Sequence, residues 1–439
     1  MQKEKTEKPD RFDSPIYKRS RVVYCLECAW VYLFSLIMTD AYLAKLLTRL
    51  GVSDAVIGIV ASISSLALFA QLFTLFFNHK IKNAKTATIV FRTISLLLKT
   101  SLYFMPFIPF ASNAKRVLVM AVLFFGDCIG NAMSCTYFRW CNVFISPLKR
   151  GSYGAVKEAI SQVLGIVFIF SVGFTFDKLE SSKNPDKCFL FIAILALALS
   201  VIEIVSLFLI GSEDESPDCA VFDNNKKAKD ILENTIGNKK FRAVILQCAL
   251  FAISQNFVIG FVGVFKTNSL GLSMFLIQVI NIIAFVARIS LSYLFGKYTD
   301  RTSYAHGLKL GYTITMLSFV FLALTTKKTW YLIIAHTVVY NVSFALIDGN
   351  SNYICYKFLP PDYFSEGMAI KNCIVGVCGF LTALIAGVIL SVVQKSGTIF
   401  GIHVFAQQLL AAISVAFMII TVLFARKKII PLFEKSGKA

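Results

Sequence analysis

The chain has 439 residues, 56% of them hydrophobic and 16% charged, with a mean hydropathy of +0.69. A soluble globular domain carries roughly 25% charged residues, so this composition excludes one and reads as an integral membrane protein. The net charge of +19 does not mark a nucleic-acid binder, because Lys and Arg lie between apolar blocks rather than on one basic domain.

The first 22 residues are polar, with Lys3, Lys5, Lys8, Arg11, Lys18, Arg19 and Arg21, and no cleavable signal precedes the first apolar block. Apolar blocks of bilayer-crossing length then follow near residues 23–46, 54–77, 87–108, 117–140, 154–176 and 188–211. After a polar stretch from Ser212 to Lys240, six more lie near 242–265, 274–295, 307–325, 329–356, 367–393 and 400–425. These are spans 1 to 12. The expected fold is an all-α integral membrane protein whose twelve transmembrane helices form two pseudo-symmetric six-helix bundles. Its predicted parts are an N-tail (1–22), a first bundle (23–211), a linker (212–241), a second bundle (242–425) and a C-tail (426–439). Within the linker, Lys226 to Asn234 is expected to form a short surface helix.

With both termini in the cytoplasm, the cytoplasmic tails and loops hold well over twice as many Lys and Arg as the opposite loops. This is the positive-inside bias, and it accounts for the charge surplus. Cys25-x-x-Cys28 falls inside the first apolar block, where free cysteines behave as small hydrophobes rather than metal ligands. The two halves also echo one another. Arg139-Trp140, Pro147 and Ser152-Tyr153-Gly154 between spans 4 and 5 correspond to Asn352-Tyr353, Pro360-Pro361 and Ser365-Glu366-Gly367 between spans 10 and 11. Such parallel repeats are a feature of transporters.

Between spans 8 and 9 lies Gly296-Lys297-Tyr298-Thr299-Asp300-Arg301, which reads as a polar turn. With the 6+6 architecture and the central linker, it makes the chain resemble the major facilitator superfamily of secondary transporters over essentially its whole length. Gly296, Asp300 and Arg301 match the first, fifth and sixth positions of that family's G-x-x-x-D-R-x-G-R-R/K signature. The second Gly and the basic pair are missing, since Thr302-Ser303-Tyr304-Ala305 follows. The first-half copy, Phe77-Asn78-His79-Lys80-Ile81-Lys82, lacks both Gly and Asp. Span 5 also lacks the Gly-Pro pair typical of the drug/proton antiporters.

The resemblance implies that Asp300 sits by the amino end of span 5, where unpaired N–H groups and the helix dipole favour an anion. In the quasi-equivalent latch the charges are exchanged: the loop brings Lys80 and Lys82, and the start of span 11 brings Glu366.

A charge at mid-bilayer costs about 2.5–3.5 kcal/mol, so each one needs a partner or an aqueous cavity. The resemblance implies that spans 1, 4, 7 and 10 line the central cavity. Asp40 in span 1 and Asp127 in span 4 are therefore expected to couple transport to a proton, with Asn131 one turn beyond Asp127 on the same face. Glu27 is expected at the cytoplasmic entrance. Gln255 and Asn256 in span 7, with His336, Tyr340, Asn341 and Asp348 in span 10, supply donors and acceptors suited to a polyhydroxylated or amide-bearing solute. The same groups also suit interhelical hydrogen bonds. Lys99, Glu158, Glu203 and Arg288 read as structural ion pairs or snorkelling side chains, and Gly165, Gly173, Gly376, Gly379 and Gly387 as close helix contacts.

No nucleotide-binding loop or hydrolase motif occurs, so no enzymatic activity is expected. The leading expectation is a proton-coupled symporter of a small polar solute working by alternating access. It would sit in the cell membrane (plasma or inner), multi-pass with both termini cytoplasmic, as a monomer without cofactor, with a proton or sodium as coupling ion and no nucleic-acid partner. The alternatives are an exporter or antiporter of amphiphilic compounds, a lipid flippase, or a membrane partner without transport.

Overall fold

A computed structural model describes residues 14–38, 40–73, 83–141, 143–145, 150–181, 186–211, 228–360, 363–396 and 405–435. Among them there is no strand, and 11 helices are long and apolar enough to cross a membrane. The remaining crossing is span 4, formed by Ser112–Ala132 and Ser134–Cys141, whose first helix carries Lys115, Arg116 and Asp127. Twelve crossings thus run as the apolar blocks predict.

Local chemistry sets where the helices begin. Ser14 caps Pro15–Ile37, Asn83 caps Ala84–Ser101, Asn238 caps Lys239–Asn256, Ser273 caps Met274–Arg301 and Ser303 caps Tyr304–Ala323. In each, the side-chain oxygen accepts a first-turn N–H that would otherwise lack a partner. Of the expected linker helix, Ala228–Asn234 is helical.

Several expected boundaries shift. The sequence Gly296–Arg301 is not a turn: span 8 stays helical from Met274 through Arg301, and the chain breaks only at Thr302. Span 1 does not run unbroken to residue 46. It ends at Ile37, and a separate helix covers Asp40–Arg49. Spans 4 and 7 also break internally, at Met133 and after Asn256.

Two main apolar cores form, one chiefly within spans 1–6 and one chiefly within spans 7–12. At one end of the bundle, Tyr17 near the start of span 1 packs with Trp140, Phe144 and Ile210 from the ends of spans 4 and 6. Phe433 beyond span 12 meets Tyr304 and Phe358 at that same end. This is the terminal end; the opposite is the distal end.

The halves approach closely where span 2 packs on spans 7 and 11. A Cβ on Gly260 would lie 2.5 Å from the Gly58 carbonyl oxygen, and one on Gly376 only 2.1 Å from that of Ser65. Only the missing side chain lets these backbones approach. Polar links also join the halves toward the distal end. Both oxygens of Asp177, at the end of span 5, accept the N–H groups of Met274 and Phe275 at the start of span 8, at 2.9 and 2.8 Å. Asp54 accepts from Asn268 at 2.8 Å and from Gln394 at 3.2 Å, joining the start of span 2 to the ends of spans 7 and 11.

Because the atom facing Gly376 is backbone oxygen, it cannot rotate away. Gly376→Ala is expected to cost about 1–3 kcal/mol, the usual range for overpacking, seen as a lower Tm in detergent. Gly296, where a Cβ would meet nothing within 4 Å, serves as the contrast. Gly296→Ala should leave Tm unchanged or slightly raised, since Ala favours helix over Gly by about 1 kcal/mol.

Candidate functional site

Two cavities follow one another along the bundle. The larger, about 560 Å³, lies between the halves and is lined by spans 1, 2, 7, 8, 10 and 11 and by the Asp40–Arg49 helix. Five amides face it: Gln255, Asn256, Gln278, Asn281 and Asn341. The break in span 7 falls directly after Gln255-Asn256, so this pair sits where the helix loses its regular hydrogen bonds.

Hydrogen bonds fix these groups in place. Gln255 Nε2 donates to Tyr340 Oη at 2.5 Å. Asn256 and Asn341 each donate Nδ2 to the carbonyl four residues earlier, at 2.9 Å, which leaves Oδ1 as an acceptor. His336 is buried, with Nδ1 3.0 Å from the Ser318 carbonyl. A carbonyl only accepts, so Nδ1 carries a hydrogen in this contact. The His336 and Tyr340 rings stack at 5.7 Å. Buried Lys266 completes the polar lining.

The second cavity, about 490 Å³, is closer to the terminal end and lies within the first bundle, between spans 1, 3, 4 and 5. It collects Glu27, Asp127 and Asn131 with Arg92, Tyr137 and Lys157. Asn131 donates to the Asp127 carbonyl oxygen at 2.9 Å, as the four-residue spacing requires. The Asp127 carboxylate pairs with Lys99 and accepts from Ser64 Oγ of span 2. Arg92 pairs with Glu203 of span 6, which is fully buried. Glu27 is 1% exposed and accepts from Tyr137 Oη at 2.5 Å. Asp127 and Glu203 therefore each hold a cation, whereas the hydrogen bond described for the Glu27 carboxylate comes from a hydroxyl.

Other expected residues are placed elsewhere or left open. Asp40 begins its helix, and its successors Ala41 and Tyr42 line the larger cavity; its own side chain lies outside the described part. Asp348 lines neither cavity. It accepts from Arg288 at 3.1 Å, and Arg288 also pairs at 3.1 Å with Glu158 of the other half. Among the described residues Asp300 and Arg301 are exposed and make no hydrogen bond or ion pair, and Gly296 packs against nothing. Glu366 is buried in the first turn of span 11. Its expected partners, Lys80 and Lys82, lie outside the described residues.

Sequence reasoning missed Arg92, Tyr137, Lys157, Gln278, Asn281 and Lys266. Arg92 and Lys157 look like ordinary flanking cations, and Tyr137 like an interfacial anchor. Only the packing of spans 3, 4 and 5 around Glu27 brings them into one cavity.

No curated protein sequence matches the chain. Several solved structures share its fold. A mutant of the nucleoside transporter NupG superposes with a TM-score of 0.68 at 13% identity, covering 94% of this chain and 99% of that one. A D-xylose-proton symporter gives 0.69 at 13% identity, with 94% and 98% covered. The xylose transporter XylE from E. coli, in a partially occluded inward-open conformation, gives 0.66 at 11% identity, with 94% and 98% covered. The MFS_1 like family matches residues 41–402. With that match across most of its length, on a major facilitator fold, the chain belongs to the MFS_1 like family and is a multi-pass membrane secondary transporter.

Proposed function

We propose that this transporter moves a small polar solute, polyhydroxylated or amide-bearing, by proton-coupled symport and alternating access, as a monomer needing no cofactor. The observation that carries the reading is the larger cavity between the halves, with five amides, Tyr340 and His336 converging on a space of about 560 Å³. That volume suits a single small ligand. Acceptors on Asn256 and Asn341 match hydroxyl or amide donors, and Phe251, Phe285 and Tyr340 offer apolar faces to a sugar or base ring. Solved transporters of nucleosides and of D-xylose with this fold support the same solute class.

The proton enters through the smaller cavity. Glu27 exchanges it there, because gaining or losing a proton on Glu27 breaks none of the described ion pairs. Asp127 carries the consequence to the solute: Ser64, its hydrogen-bond donor, lies between Ser62 and Ser65, which line the larger cavity. Asp40, which opens the helix whose next residues Ala41 and Tyr42 line the larger cavity, is the third acid of the coupling set. The terminal end faces the cytoplasm in this reading, the side on which the positive-inside bias places basic tails.

In proteoliposomes with an imposed pH gradient and a panel of sugars, amino acids and nucleosides, the transported member should accumulate when protons run inward. Glu27→Gln should lower that accumulation at least tenfold while solute counterflow persists, because exchange needs no net proton movement. Unchanged accumulation in Glu27→Gln would refute the assignment, and accumulation driven by a sodium gradient alone would transfer the coupling to sodium. Separately, Asn341→Leu should raise KM about tenfold, the cost of one solute hydrogen bond of about 1–1.5 kcal/mol. An unchanged KM would place the solute elsewhere.

A further inference from the structure

The two cavities lie in series but do not share their linings. On span 1, Tyr32 and Ser35 face the smaller cavity, and Leu36 faces the larger. On span 8, Phe285 faces the larger. The Tyr32 and Phe285 rings meet across the interface between the halves, with centroids 6.4 Å apart. We propose that the Tyr32–Phe285 pair is the gate that separates the solute cavity from the terminal-side cavity, and that it must part for solute to pass toward the terminal end.

Three further observations support this role. First, the pair joins one residue from each half, so a relative rotation of the halves pulls the rings apart without unfolding either bundle. Second, the space Tyr32 occupies exists because of a glycine: a Cβ on Gly165 of span 5 would lie 2.6 Å from Tyr32 Cε1. Third, Arg288, three residues after Phe285, bonds to Glu158 of span 5 and to Asp348 of span 10. That ion triad ties span 8 to span 5 on the terminal side of the rings and holds Phe285 against Tyr32. The Glu158, Arg288 and Asp348 cluster thus acts as a positioning group for the gate, while the rings form the barrier itself. Toward the distal end, the Asp177 and Asp54 links already close the interface. A solute in the larger cavity would thus meet those links toward the distal end and the Tyr32–Phe285 contact toward the terminal end.

The inference rests on the larger cavity being the solute's, but the barrier can be tested without any solute. Ala61 of span 2 lines that cavity, and Ala61→Cys places a thiol in it. A membrane-impermeant methanethiosulfonate reagent is applied to the terminal-end face of the full-length protein in vesicles, with the parent lacking Ala61→Cys as background. Labelling of Ala61→Cys should be slow. Adding Phe285→Ala should speed it at least tenfold, and Tyr32→Phe, which keeps the ring, should leave it slow. Gly165→Ala, which displaces the Tyr32 ring, should also speed it, and this variant decides the matter if Phe285→Ala does not elute as a folded protein. A labelling rate unchanged by both Phe285→Ala and Gly165→Ala overturns the gate, as does equal acceleration by Tyr32→Phe. Failure of the solute panel with the labelling pattern intact would instead overturn the proposed function and leave the gate standing.

Discussion

A charged side chain inside a bilayer has to find a counter-charge, and in this protein that requirement decides how helices are held together. Lys99 pairs with Asp127 and binds span 3 to span 4. Arg92 pairs with Glu203 and binds span 3 to span 6. Arg288 reaches Glu158 and Asp348, binding span 8 to its own bundle and to the opposite one. The first two pairs lie within one bundle and move with it. The third crosses the boundary between bundles, so any rotation of one half against the other has to break or stretch it. The same electrostatic rule thus supplies both permanent struts and a releasable tie.

The helix breaks form a second organising feature. Spans 1, 4 and 7 are interrupted at Met38, Met133 and Phe257, close to Leu36, Asn131 and Asn256 of the two cavities. Irregular backbone in a membrane is tolerated where it is enclosed by protein or lines a cavity. Here the interruptions place polar side chains into cavities while the rest of each span keeps its internal hydrogen bonds. The two cavities are connected through span 2, where Ser64 reaches Asp127 on one side and Ser62 and Ser65 line the larger cavity on the other.

The contact between a carboxylate and the start of a helix, expected for Asp300 at the terminal end, is realised at the distal end by Asp177 and the first N–H groups of span 8. The physics is the same in both places: unpaired N–H groups and the helix dipole attract an anion. What differs is the end of the bundle at which the described contact lies. Distally, glycine-permitted backbone contacts and the Asp177 and Asp54 links hold the halves together. Terminally, Asp300 projects from the last helical turn of span 8, exposed. Toward the terminal end, Asn372 of span 11 donates to Gln71 of span 2 at 2.9 Å, so described links between the halves are found on both sides of the larger cavity.

Much of the architecture was legible because a bilayer restricts the chain so strongly. Long apolar blocks must become helices that satisfy their own hydrogen bonds, and their number, their order and the long polar linker could be read residue by residue. Chemically committed groups were legible for the same reason: Asp127, Glu27, Gln255, Asn256, His336, Tyr340 and Asn341 stand out because polar atoms are costly in such blocks, and each lines one of the two cavities. The partners were not legible. Nothing in local spacing says that Lys99 rather than Arg92 meets Asp127, that Asp348 belongs to an ion triad with Arg288 and Glu158, or that Tyr32 faces Phe285 across the interface. By itself the sequence determined the helices and the polar groups they must shelter, because burial in lipid is a property of each segment. Only the tertiary structure decided which of those groups meet, because pairing between distant helices depends on how they pack and not on any one segment.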